Sequence, residues 1–173
     1  MRVWIIDLDD TAAYTTRDMQ GDHGRLAELK PVPGISEFLA ECKVRGDYTA
    51  LVTVGKWSLQ EEKVKHLGLN FDWRRTISPM ESDTFLIKRD TFNGLISRSE
   101  GRIKEGEKAE FVVIGDRLDR DIAVGNSLGF TTVRIRLSSG KYSHVEPQSL
   151  EETPDHTVTD FFELMQLPFF SQT

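Results

Sequence analysis

Four apolar residues, Val3, Trp4, Ile5 and Ile6, run directly into Asp7-Leu-Asp9-Asp10-Thr11 at the start of the chain. The run is unbroken, so it reads as a strand buried on both faces, the kind that sits inside a parallel sheet. Three aspartates closing such a strand carry a cost. Close carboxylates repel one another and resist desolvation, and a proton or a cation must offset them. Hard divalent cations such as Mg²⁺ choose carboxylate and carbonyl oxygen. An acidic turn after an ordinary strand is the plainer reading, and the rest of the chain decides between the two.

That rest alternates strands with helices. After a polar segment to about Lys30, Pro31-Val-Pro33-Gly34 introduces a helix with Ile35, Phe38, Leu39 and Cys42 at helical spacing and Gly46 as its cap. Tyr48 to Thr53 reads as a second buried strand. A helix follows, with a capping box at Ser58-Leu-Gln-Glu61, the apolar positions Leu59, Val64 and Leu67, and Gly68 as its stop. Arg75 to Ser78 predicts a short third strand, and Thr84 to Ser97 a helix. Glu110 to Gly115 is the next strand, ending in Asp116-Arg-Leu-Asp119-Arg-Asp121. Ile122, Val124 and Leu128 continue as a helix, and Thr131 to Arg136 predicts a fifth strand whose arginines face away from Val133 and Ile135. Residues 140–155 read as irregular, with a further short strand near Thr157 and a helix over 161–167. The expected fold is α/β: a Rossmann-like three-layer α/β/α sandwich on a mostly parallel sheet of about five strands. One domain over residues 1–173 is expected, with a short flap over 12–33.

Composition narrows the function. With 38% hydrophobic and 29% charged residues the chain has ordinary globular balance. A net charge of -6 argues against a generic nucleic-acid binder. No apolar run is long enough to cross a membrane. A strand opening at residue 2 or 3 leaves no room for a secretory signal ahead of it, and a cytoplasmic setting is expected. Cys42 is the single cysteine, so no intrachain disulfide or cysteine-rich zinc site can form, and it reads as core filler.

In parallel sheets ligands bind beyond the carboxyl ends of the strands. Asp7, Thr53 and Asp116 all fall at such ends, so the fold gathers them along one rim. With Lys88 near the start of a helix, the set suits phosphoryl transfer, which needs a metal, a cation and hydroxyl or backbone N–H donors around the phosphate oxygens. Asp7 can attack phosphorus, Asp9 can protonate the leaving oxygen and then activate water, and Asp116 and Asp121 can hold Mg²⁺ with Asp7. His23, between glycines, is a weaker ligand candidate.

These stretches resemble the haloacid dehalogenase superfamily of phosphatases and phosphotransferases. The four motifs appear in order: D-L-D-D-T at Asp7 to Thr11, a strand ending in Thr53, Lys88, and G-D-R-L-D-R-D at Gly115 to Asp121. The resemblance implies Asp7 as nucleophile and Asp9 as general acid/base, with the Asp9 backbone carbonyl joining Asp7, Asp116 and Asp121 around Mg²⁺. It implies that Thr53 and Lys88 grip the phosphate, with Leu8 and Val54 beside it. Asp10 stands where the family commonly has glycine. Arg89 follows Lys88 where proline is common, which leaves Arg89 as its rival. Asp119 is an extra carboxylate, read as a solvated neighbour or as a group that supports the metal ligands from behind. Dehalogenases of the superfamily lack an acid at the place of Asp9, so the sequence sides with the phosphatases. The stretches 12–33 and 54–87 are too short for a full cap domain, which suits a macromolecular phosphoester, or a small one enclosed by a second subunit. The cysteine cluster of the zinc-bearing sugar-bisphosphate phosphatases is absent. Arg17, Arg25, Lys56 and Arg117 offer a basic rim, although scattered surface cations explain them equally.

The expected function is therefore Mg²⁺-dependent hydrolysis of a phosphomonoester through an aspartyl phosphate. The alternative is a phosphate- or nucleotide-binding module that has lost turnover. A receiver-type domain fits less well, because its phosphorylated aspartate lies on a later strand.

Overall fold

The computed structural model of the chain describes residues 1–15, 23–81, 83–103 and 108–171, with backbone only at 23–25. Arg17, and the side chains of His23 and Arg25, lie outside the described residues. The opening apolar run forms β1 (Arg2–Ile6). Its alternate residues serve two cores: Trp4 and Ile6 pack on one face of the sheet, Val3 and Ile5 on the other. This double burial is why the run does not alternate in polarity.

A minor antiparallel pair, β2 (Ala13–Tyr14) and β3 (Lys30–Pro31), follows. The main sheet continues with β4 (Tyr48–Val54), β5 (Trp73–Ile77), β6 (Glu110–Gly115), β7 (Thr131–Ile135) and β8 (His156–Val158). Its order is β5-β4-β1-β6-β7-β8 and every pairing is parallel. The sheet thus has six strands where about five were expected; the sixth is the short strand anticipated near Thr157. β1 lies inside the sheet, flanked by β4 and β6. The strand order reverses there, which opens a crevice at its carboxyl end.

On one face lie α1 (Ile35–Arg45), α2 (Trp57–His66), α5 (Phe161–Met165) and α6 (Pro168–Ser171), contributing Phe38, Val64, Phe161 and Phe170 to the core. On the other lie α3 (Thr84–Glu100) and α4 (Ala123–Ser127), contributing Phe92, Leu95 and Val124. The Trp4 and Phe38 rings meet edge to face at 5.0 Å, and the Trp4 indole N–H donates to Asp47 at 3.1 Å, so the largest core side chain is buried with its polar atom satisfied. Cys42 is buried and free.

Two local expectations need correction. α2 starts one residue before Ser58, with extended Lys56 at the cap position and no side-chain cap bond. The Gln60 N–H already donates to the Lys56 carbonyl, so Ser58 lies inside the first turn and cannot cap it. The stretch 118–122 is not an ordinary helix start but a widened π-helical turn, Leu118–Ile122, ahead of α4. Arg134, which alternates along β7 with the core residues Val133 and Ile135, is itself buried under the segment that follows the strand. Among the described residues no helix is long and apolar enough to cross a membrane.

Candidate active site

The ladder of β1 runs right up to the first carboxylate, because the Asp7 N–H donates to the Ile114 carbonyl of β6 at 3.0 Å. Asp116 follows the end of β6, and the π-helical turn folds Asp121 back over that strand end. A Cβ on Gly115 would lie 2.4 Å from the Asp121 carboxyl carbon, so only glycine lets the side chain return this far. One carboxylate oxygen each from Asp7, Asp116 and Asp121 lie within 4.8 Å of one another, all buried. An all-oxygen set of three carboxylates suits a hard divalent cation such as Mg²⁺.

The electrostatics express the same crowding. Burial, with Asp121 and Asp9 adding to it against the opposing pull of Lys88, pushes the Asp7 carboxyl up to about 7. Burial together with Asp7 and Asp121 pushes Asp116 well above the usual carboxylate range. Lys88 pairs directly with Asp121 and lies 3.4 Å from Asp7. Burial alone would lower its pKa, but the two carboxylates outweigh burial and hold the ammonium above its ordinary value. Arg89 is exposed on the same helix.

Asp9 stands apart from the trio. Lys63 approaches it at 2.5 Å, Gln60 donates to it at 2.8 Å and the Thr15 hydroxyl at 2.7 Å. The Gln60 amide also reaches the Thr53 hydroxyl at 3.3 Å and the Val54 carbonyl at 3.2 Å, so α2 ties Asp9 to the end of β4. Asp10 adopts φ +53°, the left-handed region where glycine is at ease. Its carboxylate accepts the N–H groups of Thr15 at 3.0 Å and Lys141 at 2.9 Å, two hydrogen bonds that glycine could not make. The extra Asp119 is partly exposed and grips Arg117 at 3.0 and 2.5 Å.

A cleft of about 220 Å³ opens over these groups. It brings together Asp7, Asp9, Thr53, Val54, Lys88 and Asp116 from the sequence reading. Asp121 lies beneath, against Lys88. The Leu8 side chain is not part of the cleft; it is fully buried in the core, and its carbonyl takes the N–H groups of Thr11, Ala12 and Ala13. Lys56 is exposed and does not line the cleft. The sequence reading missed Thr15, Gln60, Lys63, Arg120, Lys141 and Tyr142. Gln60 and Lys63 did leave a trace, three residues apart beside the apolar stripe of Leu59, Val64 and Leu67, where a polar pair turns inward.

A parallel α/β sheet with this carboxylate cluster at its switch point is the architecture of a haloacid dehalogenase-type hydrolase. A family model for HAD-hydrolase-like proteins matches residues 91–164. The glyceraldehyde 3-phosphate phosphatase of Methanopyrus kandleri is 32% identical over 143 residues, covering 83% of this chain and 58% of that protein. Its counterpart from Methanocaldococcus jannaschii is 30% identical over 159 residues, covering 91% and 65%. The chain therefore spans 58–65% of the length of these curated relatives. Among solved structures, D,D-heptose 1,7-bisphosphate phosphatase from B. bronchiseptica, complexed with magnesium and phosphate, is similar with a TM-score of 0.64 at 14% identity, covering 96% of this chain and 99% of that one. CbbY from Rhodobacter sphaeroides, in complex with phosphate, is similar with a TM-score of 0.64 at 16% identity, covering 94% and 95%. In sequence and in fold the chain is thus similar to hydrolases of the haloacid dehalogenase superfamily.

Proposed function

We propose that the protein is a Mg²⁺-dependent phosphomonoesterase that works through a phosphorylated Asp7. The observation that carries this reading is the division of labour among its carboxylates. Asp7 reaches the cleft from inside the buried trio, while Asp9, two residues on, is held separately by Lys63, Gln60 and Thr15. That separation supports Asp7 as the attacking group and Asp9 as the proton carrier.

An Asp7 oxygen attacks phosphorus and the bond from phosphorus to the ester oxygen breaks. Asp9 gives its proton to that leaving oxygen, so an alcohol departs and an acyl phosphate remains on Asp7. Water then attacks the same phosphorus and passes a proton to Asp9. The bond from phosphorus to the Asp7 oxygen breaks, releasing inorganic phosphate. Thr53 and Lys88 hold the phosphoryl oxygens, and Lys88 also keeps Asp7 and Asp121 from repelling one another apart. The residues that would hold Mg²⁺ are Asp7, Asp116, Asp121 and the Asp9 carbonyl; when bound, the ion supplies positive charge against the phosphate oxygens. The names of the relatives point to small sugar phosphates as the substrate class. The chain is read as one domain, with residues 12–33 as a small flap in place of a cap and a cytoplasmic setting.

Hydrolysis of an aryl phosphate, with and without Mg²⁺, by the parent and by Asp7→Asn tests this. Metal-dependent turnover that the substitution abolishes is the expected result. Turnover that survives Asp7→Asn would sink the covalent route. A parent that binds Mg²⁺ and inorganic phosphate yet turns over no ester would favour the binding-module alternative.

A further inference from the structure

One wall of the cleft carries cations that the carboxylates around them do not neutralise. Lys88 is held by Asp121 and Asp7, Lys63 by Asp9, and Arg117 by Asp119. Arg120 is different: it reaches Asp119 only at 4.0 Å, and that carboxylate already takes both contacts from Arg117. Lys141 meets no carboxylate within ion-pair distance among the described residues; its ammonium lies 5.3 Å from the centre of the Tyr142 ring. The Arg117 guanidinium approaches the same ring at 4.6 Å. All four residues line the cleft that holds Asp7 and Asp9.

This wall is constructed from below. Asp10, itself part of the loop after β1, accepts the Lys141 N–H at 2.9 Å. Arg134, only 2% exposed, donates to the Tyr142 carbonyl at 2.8 Å, and Arg136 donates to the Ser143 carbonyl at 2.8 Å. Burying an arginine is costly, and a loop that merely crosses the surface has no need of one. Here three charged side chains fix a short segment so that Lys141 and Tyr142 line the cleft from a set position.

We propose that Arg120 and Lys141, backed by Tyr142, form a subsite for a second anionic group on the substrate, a carboxylate or a second phosphate carried by the alcohol portion of the phosphomonoester. The inference rests on the phosphomonoesterase reading above and narrows its substrate class. Arg120, its side chain 30% exposed, offers a planar fork of N–H donors, and the exposed Lys141 a compact charge at the cleft's rim. An aldehyde or hydroxyl at the same place gives these cations no counter-charge. The subsite therefore separates phosphorylated acids and bisphosphates from phosphorylated aldehydes and polyols.

The test uses substrates that differ only at the far end. kcat/KM is measured with Mg²⁺ for 3-phosphoglycerate against glyceraldehyde 3-phosphate, and for fructose 1,6-bisphosphate against fructose 6-phosphate, with an aryl phosphate alongside. The parent should favour the carboxylate or the second phosphate by about tenfold, the worth of one charge-assisted hydrogen bond, and whichever pair shows the preference names the anion. Lys141→Met and Arg120→Gln should each shrink that ratio several-fold. Because a ratio is read on one preparation, loss of folded protein in a variant cancels. Turnover of the aryl phosphate with both ratios near one, or a preference that survives both substitutions, overturns the subsite alone. Absence of turnover on every ester, the aryl phosphate included, overturns the hydrolase reading and the subsite with it.

Discussion

Gly115 and Lys63 show how much of this site depends on residues that do no chemistry. Alanine at 115 would set a methyl group 2.4 Å from the Asp121 carboxyl carbon, and either the π-helical turn or the metal trio must give way. Gly115→Ala should therefore weaken Mg²⁺ binding at least tenfold, as measured by calorimetric titration, and destabilise the fold by roughly 1–3 kcal/mol, the usual cost of overpacking. Unchanged Mg²⁺ affinity would mean that Asp121 does not need its present position. Lys63 approaches Asp9 at 2.5 Å from a side chain only 5% exposed. Lys63→Met keeps the packing of the stem but releases Asp9, so kcat on an aryl phosphate should fall by about 10²-fold, the usual scale of general acid/base assistance, with KM little changed. A variant with parental kcat would show that Asp9 needs no such anchor. Asp7 adds a pH dependence. Its folded-state pKa near 7 lies above the ordinary 3.8, so between those values the metal-free folded protein binds the extra proton. Its stability should then fall as pH rises from about 4 to about 7, and Mg²⁺ should restore it by favouring the ionised form. Urea unfolding at pH 5 and pH 7.5, with and without Mg²⁺, reads this directly. Asp116, raised by the same burial, adds a slope of the same sign, so Asp7→Asn should lessen the metal-free slope without abolishing it, and an equal slope in the variant would place the titration elsewhere.

At the scale of elements, the loop after β1 and the segment after β7 are joined by Asp10. Asp10→Gly relieves a strained φ, worth about 1 kcal/mol, but strips an acceptor from two backbone N–H groups, each worth roughly 1–3 kcal/mol when partly buried. The loss exceeds the gain, so the variant should unfold at lower urea concentration; higher stability would mean the strain dominates. The same elements mark what was legible in the sequence. The ends of β1, β4 and β6 could be read because strand-end carboxylates and hydroxyls are anomalous in apolar runs, and Asp7, Asp9, Thr53 and Asp116 do meet in one cleft. Lys63, Arg120 and Lys141 could not be, because a lysine or arginine on a helix or loop looks the same in sequence whether it snorkels to water or turns inward. The capping box failed because α2 begins at Trp57, with Lys56 at the cap, two residues ahead of where the local pattern puts it. The role of Asp10 could not be read beyond a departure from glycine, since one of its two N–H partners, Lys141, comes from far along the chain.

For the whole molecule, six parallel strands and two apolar layers hold a crowded set of carboxylates at one edge of the sheet, in a chain of net charge -6. Such a fold stores like-charge repulsion at its functional end, and cations within the cleft offset it locally: Lys88 below, Lys63 to one side, Arg120 and Lys141 at the mouth. The central claim is that phosphate passes through Asp7 itself. It is tested most directly by mixing the protein and Mg²⁺ with a ³²P-labelled phosphomonoester, quenching in acid within the first turnover, and mapping the labelled peptide. The account predicts an acid-stable, base-labile label on the peptide carrying Asp7, formed and lost at rates that match turnover. Steady hydrolysis with no label on that peptide would contradict it.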